Sequence, residues 1–141
     1  MAYWLFKSEP NAFGWDDQVA LGEKGGQWDG VRNYQARNNM KAMKTGDLGF
    51  FYHSVDEKRI VGVVEVCAEA HPDTTTDDPR WECVDVRAVA PMPRPVTLAE
   101  IKAHPRLADF ALVRQSRLSV VPVGPEEWRI ICGMGGYQGP G

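Results

Sequence analysis

No stretch of this chain approaches the roughly 20 consecutive apolar residues that a membrane-spanning helix needs, so no membrane partner is expected. Basic residues are in deficit: 16 Lys and Arg face 19 Asp and Glu, for a formal net charge of −3. Tight non-specific binding to polyphosphate needs many cationic contacts, so any nucleic-acid partner must be held by a local patch. The three cysteines, Cys67, Cys83 and Cys132, are odd in number and widely spaced in apolar contexts. They read as buried thiols in a reducing compartment, the cytoplasm, or the nucleus of a eukaryote. Met1 leads straight into YWLFKSEP without a charged region, an apolar core and a small-residue cleavage site, so no signal peptide is expected.

Enzyme and metal signatures are missing as well. There is no G-x-S-x-G elbow, P-loop or H-E-x-x-H, and Gly133, Gly135, Gly136 and Gly139 have no following helix to complete a phosphate cradle. His53, His71, His104 and the cysteines lack the close-pair spacing of a zinc site; no metal or cofactor is expected. His53 and Ser54 with Asp56 nearby mimic a base and nucleophile, but neighbours on a strand point to opposite faces. Glu65, Glu69 and Asp85 fit a solvated strand face better than a catalytic carboxylate pair.

What the chain does have is enough for one globular domain: 141 residues, 43% hydrophobic, 25% charged, with five tryptophans. Tyr3 to Lys7 predicts a buried strand that Ser8-Glu9-Pro10 ends. Phe13 to Leu21 carries a weak helical pattern broken by Gly25-Gly26. Ala36, Met40 and Met43 form an apolar helical stripe, with Asn33 as N-cap and Gly46 as the residue past the C-terminus. Asp47 to Ser54 and Ile60 to Ala70 predict a hairpin turning at Asp56-Glu57-Lys58. Pro72 to Arg80 reads as an exposed acidic loop and Trp81 to Ala90 as a third strand, followed by proline-rich APMPRPV. Thr97 and Glu100 form a capping box for a helix that Pro105 ends. Leu118 to Val123 predicts a strand, and GPEEWRIIC a helix stopping at Gly133. The tail from Gly135 to Gly141 reads as flexible. Strands separated by short helices indicate an α+β domain around a curled sheet, without repeats or linkers.

One stretch departs from the average. Between Gly30 and Gly46 stand four basic residues, Arg32, Arg37, Lys41 and Lys44, and no acid. Beside them lie aromatics, Trp28, Tyr34 and Tyr52, with polar groups able to read an edge, Asp29, Asn33, His53 and Ser54. Capture of an unstacked base asks for such a combination. A solvated helix face and core-anchoring tryptophans would give the same pattern.

YWLFKSEP at 3 to 10, WDGVRNYQARN at 28 to 38, GDLGFFYHS at 46 to 54, IVGVVEV at 60 to 66 and SRLSVVPV at 116 to 123 together resemble the EVE domain. This thymocyte nuclear protein-like family belongs to the PUA-like superfamily with the YTH and ASCH domains. The resemblance spans about Met1 to Gly133 and implies a domain over 1–134. It implies a PUA-like fold, a strongly bent mixed β-sheet or pseudobarrel flanked by short helices, with a pocket for a modified base. By motif, Trp28 is similar to the cage tryptophan, Lys7 and Ser8 to the polar end of the first strand, Tyr52, His53 and Ser54 to FYHS, and Leu118 and Ser119 to LSV.

The expected function is reading of a modified base, most simply modified cytosine in DNA or a modified base in RNA, by a monomer without catalytic activity. The base would flip into a pocket walled by Trp28 and Tyr52, with Lys7, Ser8, Asp29, Val31, Asn33, Tyr34, His53, Ser54, Leu118 and Ser119 around it. Arg32, Arg37, Lys41 and Lys44 would contact phosphates. Two alternatives stand beside this: an enzyme acting on a base or nucleotide, with Asp29 and His53 as the residues to test, and a small-molecule or protein-binding module.

Overall fold

The computed structural model describes residues 1–139. Its strands are β1 (Tyr3–Ser8), β2 (Gly26–Gln27), β3 (Leu48–His53), β4 (Arg59–Pro72), β5 (Glu82–Thr97) and β6 (Val120–Val123). The helices are α1 (Trp15–Ala20), α2 (Tyr34–Ala42), α3 (Leu98–Ala103), α4 (Ala111–Arg114) and α5 (Pro125–Gly135). The six strands form one sheet in the order β2-β5-β4-β3-β1-β6, with β1 and β3 parallel and the other pairings antiparallel. Repeated register shifts between the long strands β4 and β5 make room for strong bending, because each unpaired residue kinks the ladder.

Period-2 alternation divides the central strands between two aromatic layers. Phe50 and Tyr3 stack on Trp128 of α5, with centroids 4.1 Å and 4.5 Å away. Phe6 and Phe51, on the opposite face, pack edge-on against Trp28 at 5.1 Å and 5.5 Å. Close strand contact requires glycine at position 49, where a Cβ would stand 2.6 Å from the Phe6 ring. Buried Gln18 ties α1 to the sheet by donating to the Val86 carbonyl at 3.1 Å. Asp47, also buried, accepts from Ala2 N, Trp4 Nε1 and Lys44 N at 3.0–3.1 Å, which locks the turn before β3 to the start of β1.

Several boundaries differ from the sequence expectation. Asn33 caps α2 by accepting from Ala36 N, but the helix ends at Ala42, and Gly46 serves the following turn with φ +96°. Pro91, Pro93 and Pro95 lie within β5 instead of linking it to α3; Pro93 and Pro95 fall in the register gap between the Pro91–Gly62 and Val96–Ile60 pairs, where residues without an N–H are tolerated. The 72–80 loop is not wholly exposed, since Asp73 is only 2% accessible. Helix α5 runs past Gly133 to Gly135 and closes on Gly136 in the left-handed region. The flexible tail therefore does not begin at Gly135: Tyr137 is buried in the core, while residues 140 and 141 lie outside the described ones. The capping box at Thr97 and Glu100 is formed as expected. Among the described residues, no helix is long and apolar enough to cross a membrane, and no cluster of His, Cys, Asp and Glu could hold a metal.

Candidate nucleic-acid interface

Where the chain leaves β1, a cavity of about 690 Å³ opens between the Lys7–Glu9 turn and the segment after β2. That size suits a small organic ligand. Trp28 is its aromatic floor. The residue is 7% exposed and its ring is held edge-on by Phe6, Phe51 and Phe13, the last at 6.2 Å, so one orientation is fixed before any ligand arrives. Its backbone N–H donates to the Val84 carbonyl at 2.8 Å, continuing the β2–β5 pairing. Ala12, Phe13, Leu21 and Val31 complete the apolar lining.

The polar lining comes from Lys7, Ser8, Glu9, Gln27, Asp29, Arg32 and Ser119. Some of these groups are already engaged. Ser8 Oγ donates to the Phe13 carbonyl at 2.5 Å, and the Gln27 amide is paired with Thr74. Lys7 Nζ donates to the Ser116 carbonyl at 2.9 Å, and burial lowers its pKa. The Asp29 carboxylate and the Ser119 hydroxyl make no side-chain hydrogen bond among the described residues. Burial pushes the Asp29 carboxyl up, the nearby Asp73 charge adds to this, and Arg32 opposes it.

Asp73 braces the wall of the cavity. Its Oδ2 accepts from Gly30 N at 2.9 Å and from Arg32 Nη1 at 3.1 Å, while Thr75 donates to Oδ1. Burial alone would raise its pKa, but the hydrogen bonds from Thr75, Gly30 and Arg32 outweigh it and hold the carboxyl at about 2. Outside this brace runs a ladder of flat groups: Arg32 lies over Trp81, Trp81 stacks on Tyr34 at 5.0 Å, and Arg37 lies over Tyr34.

Residues 2–134 match the EVE domain. The chain belongs to the EVE domain family. It is 37% identical to thymocyte nuclear protein 1 of Danio rerio over 93% of this chain and 71% of that one. Among solved structures, a protein from Agrobacterium tumefaciens superposes with a TM-score of 0.96 at 56% identity, over 99% of this chain and 97% of that one. Human THYN1, solved in complex with DNA containing 5-methylcytosine, gives 0.88 at 34% identity, over 99% of this chain and all (100%) of that one. The YTH domain of Zygosaccharomyces rouxii MRB1, solved with N6-methyladenosine RNA, gives 0.58 at 15% identity, over 98% and 88%, a likeness of fold. The fold class is α+β and PUA-like, as the resemblance implied.

In this EVE domain, Lys7, Ser8, Trp28, Asp29, Val31, Arg32 and Ser119 converge on one cavity. The other expected pocket residues do not reach it. Tyr52 alternates with Phe51 and faces away from Trp28; it is 3% exposed, and burial pushes its hydroxyl up to about 12. His53 is a bolt: Nε2 accepts from Trp15 N at 3.0 Å, and Nδ1 lies 2.9 Å from Glu57 Oε1. Ser54 pairs through its backbone with the Ser8 carbonyl. Asn33 is spent on capping α2, Tyr34 stands in the outer ladder, and Leu118 lines a separate depression with Asn33. Nor are the expected phosphate contacts free. Arg37 donates to the Arg80 carbonyl and Asn38, Lys41 lies 3.5 Å from Glu82, and Arg32 is held by Asp73; Lys44 alone of the four has no side-chain partner among the described residues.

Phe13, Leu21, Glu9 and Ala12 line the cavity without having been anticipated, and Asp73 was placed in solvent. Periodicity marked Leu21 only as the end of a weak helix. The one available signal for Asp73 was its place beside Thr74 and Thr75, whose hydroxyls and N–H groups favour a turn around a carboxylate.

Proposed function

We propose that this EVE domain binds nucleic acid and reads a modified base, in the first instance a 5-modified cytosine in DNA, flipped out of the stack onto Trp28. The carrying observation is the preformed cavity itself, a fixed indole floor beside the unengaged Asp29 carboxylate and Ser119 hydroxyl. The 5-methylcytosine DNA in the complex of human THYN1, 34% identical to this chain, supports the choice of ligand. Cytosine presents an N4 amine with two acceptors on its pairing edge. Asp29 would accept from the amine, and Ser119 or the remaining protons of Lys7 would serve the acceptors.

The energies limit the design. Unstacking costs a few kcal/mol and one aromatic stack returns about 1–3, so contacts to the strand must supply the rest. Burying the methyl group adds about 0.8 kcal/mol, about fourfold in affinity, against the apolar side formed by Leu21, Val31 and Phe13. Discrimination by the methyl alone is therefore modest and the interaction salt-dependent. The reading is of a binder acting as a monomer, not of a catalyst. Among the described residues no histidine lines the cavity, and both ring nitrogens of His53 are committed to structural partners elsewhere. Three free thiols suit a reducing compartment, the cytoplasm or a nucleus.

Fluorescence anisotropy on short duplexes that differ only in one central cytosine, unmodified, methylated or hydroxymethylated, with a matched modified RNA, tests this. Preference for one modified strand, reduced in Trp28→Phe and Asp29→Ala proteins that melt like the wild type, is expected. Equal binding to all of them in the wild type would sink the reading.

A further inference from the structure

We propose that the phosphate flanking the captured base is held by a second notch, built by Arg114 and Arg117 and reached past Lys7, and not by the basic stripe of α2. The proposal rests on the Trp28 cavity being the base site.

The notch is a depression of about 350 Å³ whose walls include Asn33, Gln35, Arg114, Ser116 and Arg117. It shares a wall with the base cavity at three points. Lys7 lines the cavity and its Nζ bonds the carbonyl of Ser116, which lines the notch. Arg32 and Ser119 line the cavity, and their chain neighbours Asn33 and Leu118 line the notch. A strand whose base enters the first is therefore carried over Lys7 into the second.

Charge is sorted between them. In the cavity lining Glu9 and Asp29 balance Lys7 and Arg32, and Asp73 behind the wall holds Arg32, so no excess of positive charge draws a phosphate there. The notch lining contains two guanidinium groups and no carboxylate. Arg117 has no ion pair among the described residues. Arg114 pairs with Asp109 and donates from Nε to the Ala108 carbonyl at 3.3 Å, and with side chains 65% and 87% exposed the ion pair is water-screened and readily exchanged. A guanidinium fork can grip two phosphate oxygens at once, which a redirected Arg114 or Arg117 provides. On α2, Arg37 and Lys41 would first have to release Arg80, Tyr34 and Glu82.

The test is anisotropy on a duplex with one central 5-methylcytosine and its unmodified twin, between about 50 and about 200 mM salt. The proteins are wild type, Arg114→Gln/Arg117→Gln and Arg37→Gln/Lys41→Gln, each checked by thermal melting. The notch variant should lose about one unit of log K against log salt per phosphate contact removed. It should weaken both duplexes by the same factor, leaving the methyl preference intact. The α2 variant should keep the wild-type slope. A wild-type slope in the notch variant, with methyl preference present, overturns the notch and spares the base site. Absence of methyl preference in the wild type overturns the base site and the notch with it.

Discussion

Asp73 Oδ2 accepts a hydrogen bond from Gly30 N at 2.9 Å, across 43 positions of sequence, and through it the loop after β4 fixes the segment that carries Trp28 and Asp29. The same oxygen holds Arg32, so one buried carboxylate sets both the backbone and the charge at the cavity wall. Rigidity there matters, because an ordered wall spares binding the cost of ordering it.

Asp73→Ala leaves the Gly30 N–H and the Arg32 guanidinium without their partner. A stability loss of about 1–3 kcal/mol is expected in urea denaturation. Affinity for the modified oligonucleotide should fall by more than the loss of folded protein accounts for, and Asp73→Asn should recover part of both.

Acid should act in two stages. Asp29 has a raised pKa, so its carboxylate is lost as an acceptor at a higher pH than an ordinary aspartate, and methyl-dependent binding should fall off first. Asp73 is depressed to about 2 in the folded protein against about 3.9 unfolded. Its contribution to stability is full above the unfolded value and disappears as pH falls toward about 2. Melting temperature against pH should show that acid limb in the wild type and a shallower one in Asp73→Asn.

His53 and Tyr52 separate structure from reading. His53→Ala removes the acceptor for Trp15 N and the partner of Glu57, costing about 1–3 kcal/mol by chemical denaturation. Tyr52→Phe changes a side chain that faces away from Trp28. Neither should alter the ratio of affinities for modified and unmodified duplex in anisotropy; a changed ratio in Tyr52→Phe would bring that residue back to the site.

Gly49→Ala places a Cβ 2.6 Å from the Phe6 ring in the middle of the sheet. Because Phe6 in turn supports Trp28, the ring cannot yield freely, and overpacking should cost about 1–3 kcal/mol in denaturant midpoint analysis. Altered near-ultraviolet circular dichroism from Trp28 should accompany it.

The sequence by itself determined the elements that local chemistry specifies. The Asn33 cap, the Thr97 and Glu100 box, the apolar stripe of Ala36, Met40 and Met43, and the central strands all follow from short-range rules, and the ordered motifs fixed the family. Trp28, Asp29, Lys7 and Ser119 were legible as site candidates for the same reason, since each sits inside a motif. Only the tertiary structure decided which faces meet. Tyr52 is next to Phe51 in the chain, yet the pleat sends one to each side of the sheet, and only Phe51 touches Trp28. Asp73, in a loop that composition marks as solvent-exposed, is buried because long-range pairing of β4 with β5 carries it against Gly30. The basic stripe of α2 was equally readable, but whether a cation is free depends on what folds against it, and Arg80 and Glu82 arrive at that stripe only through the bent sheet.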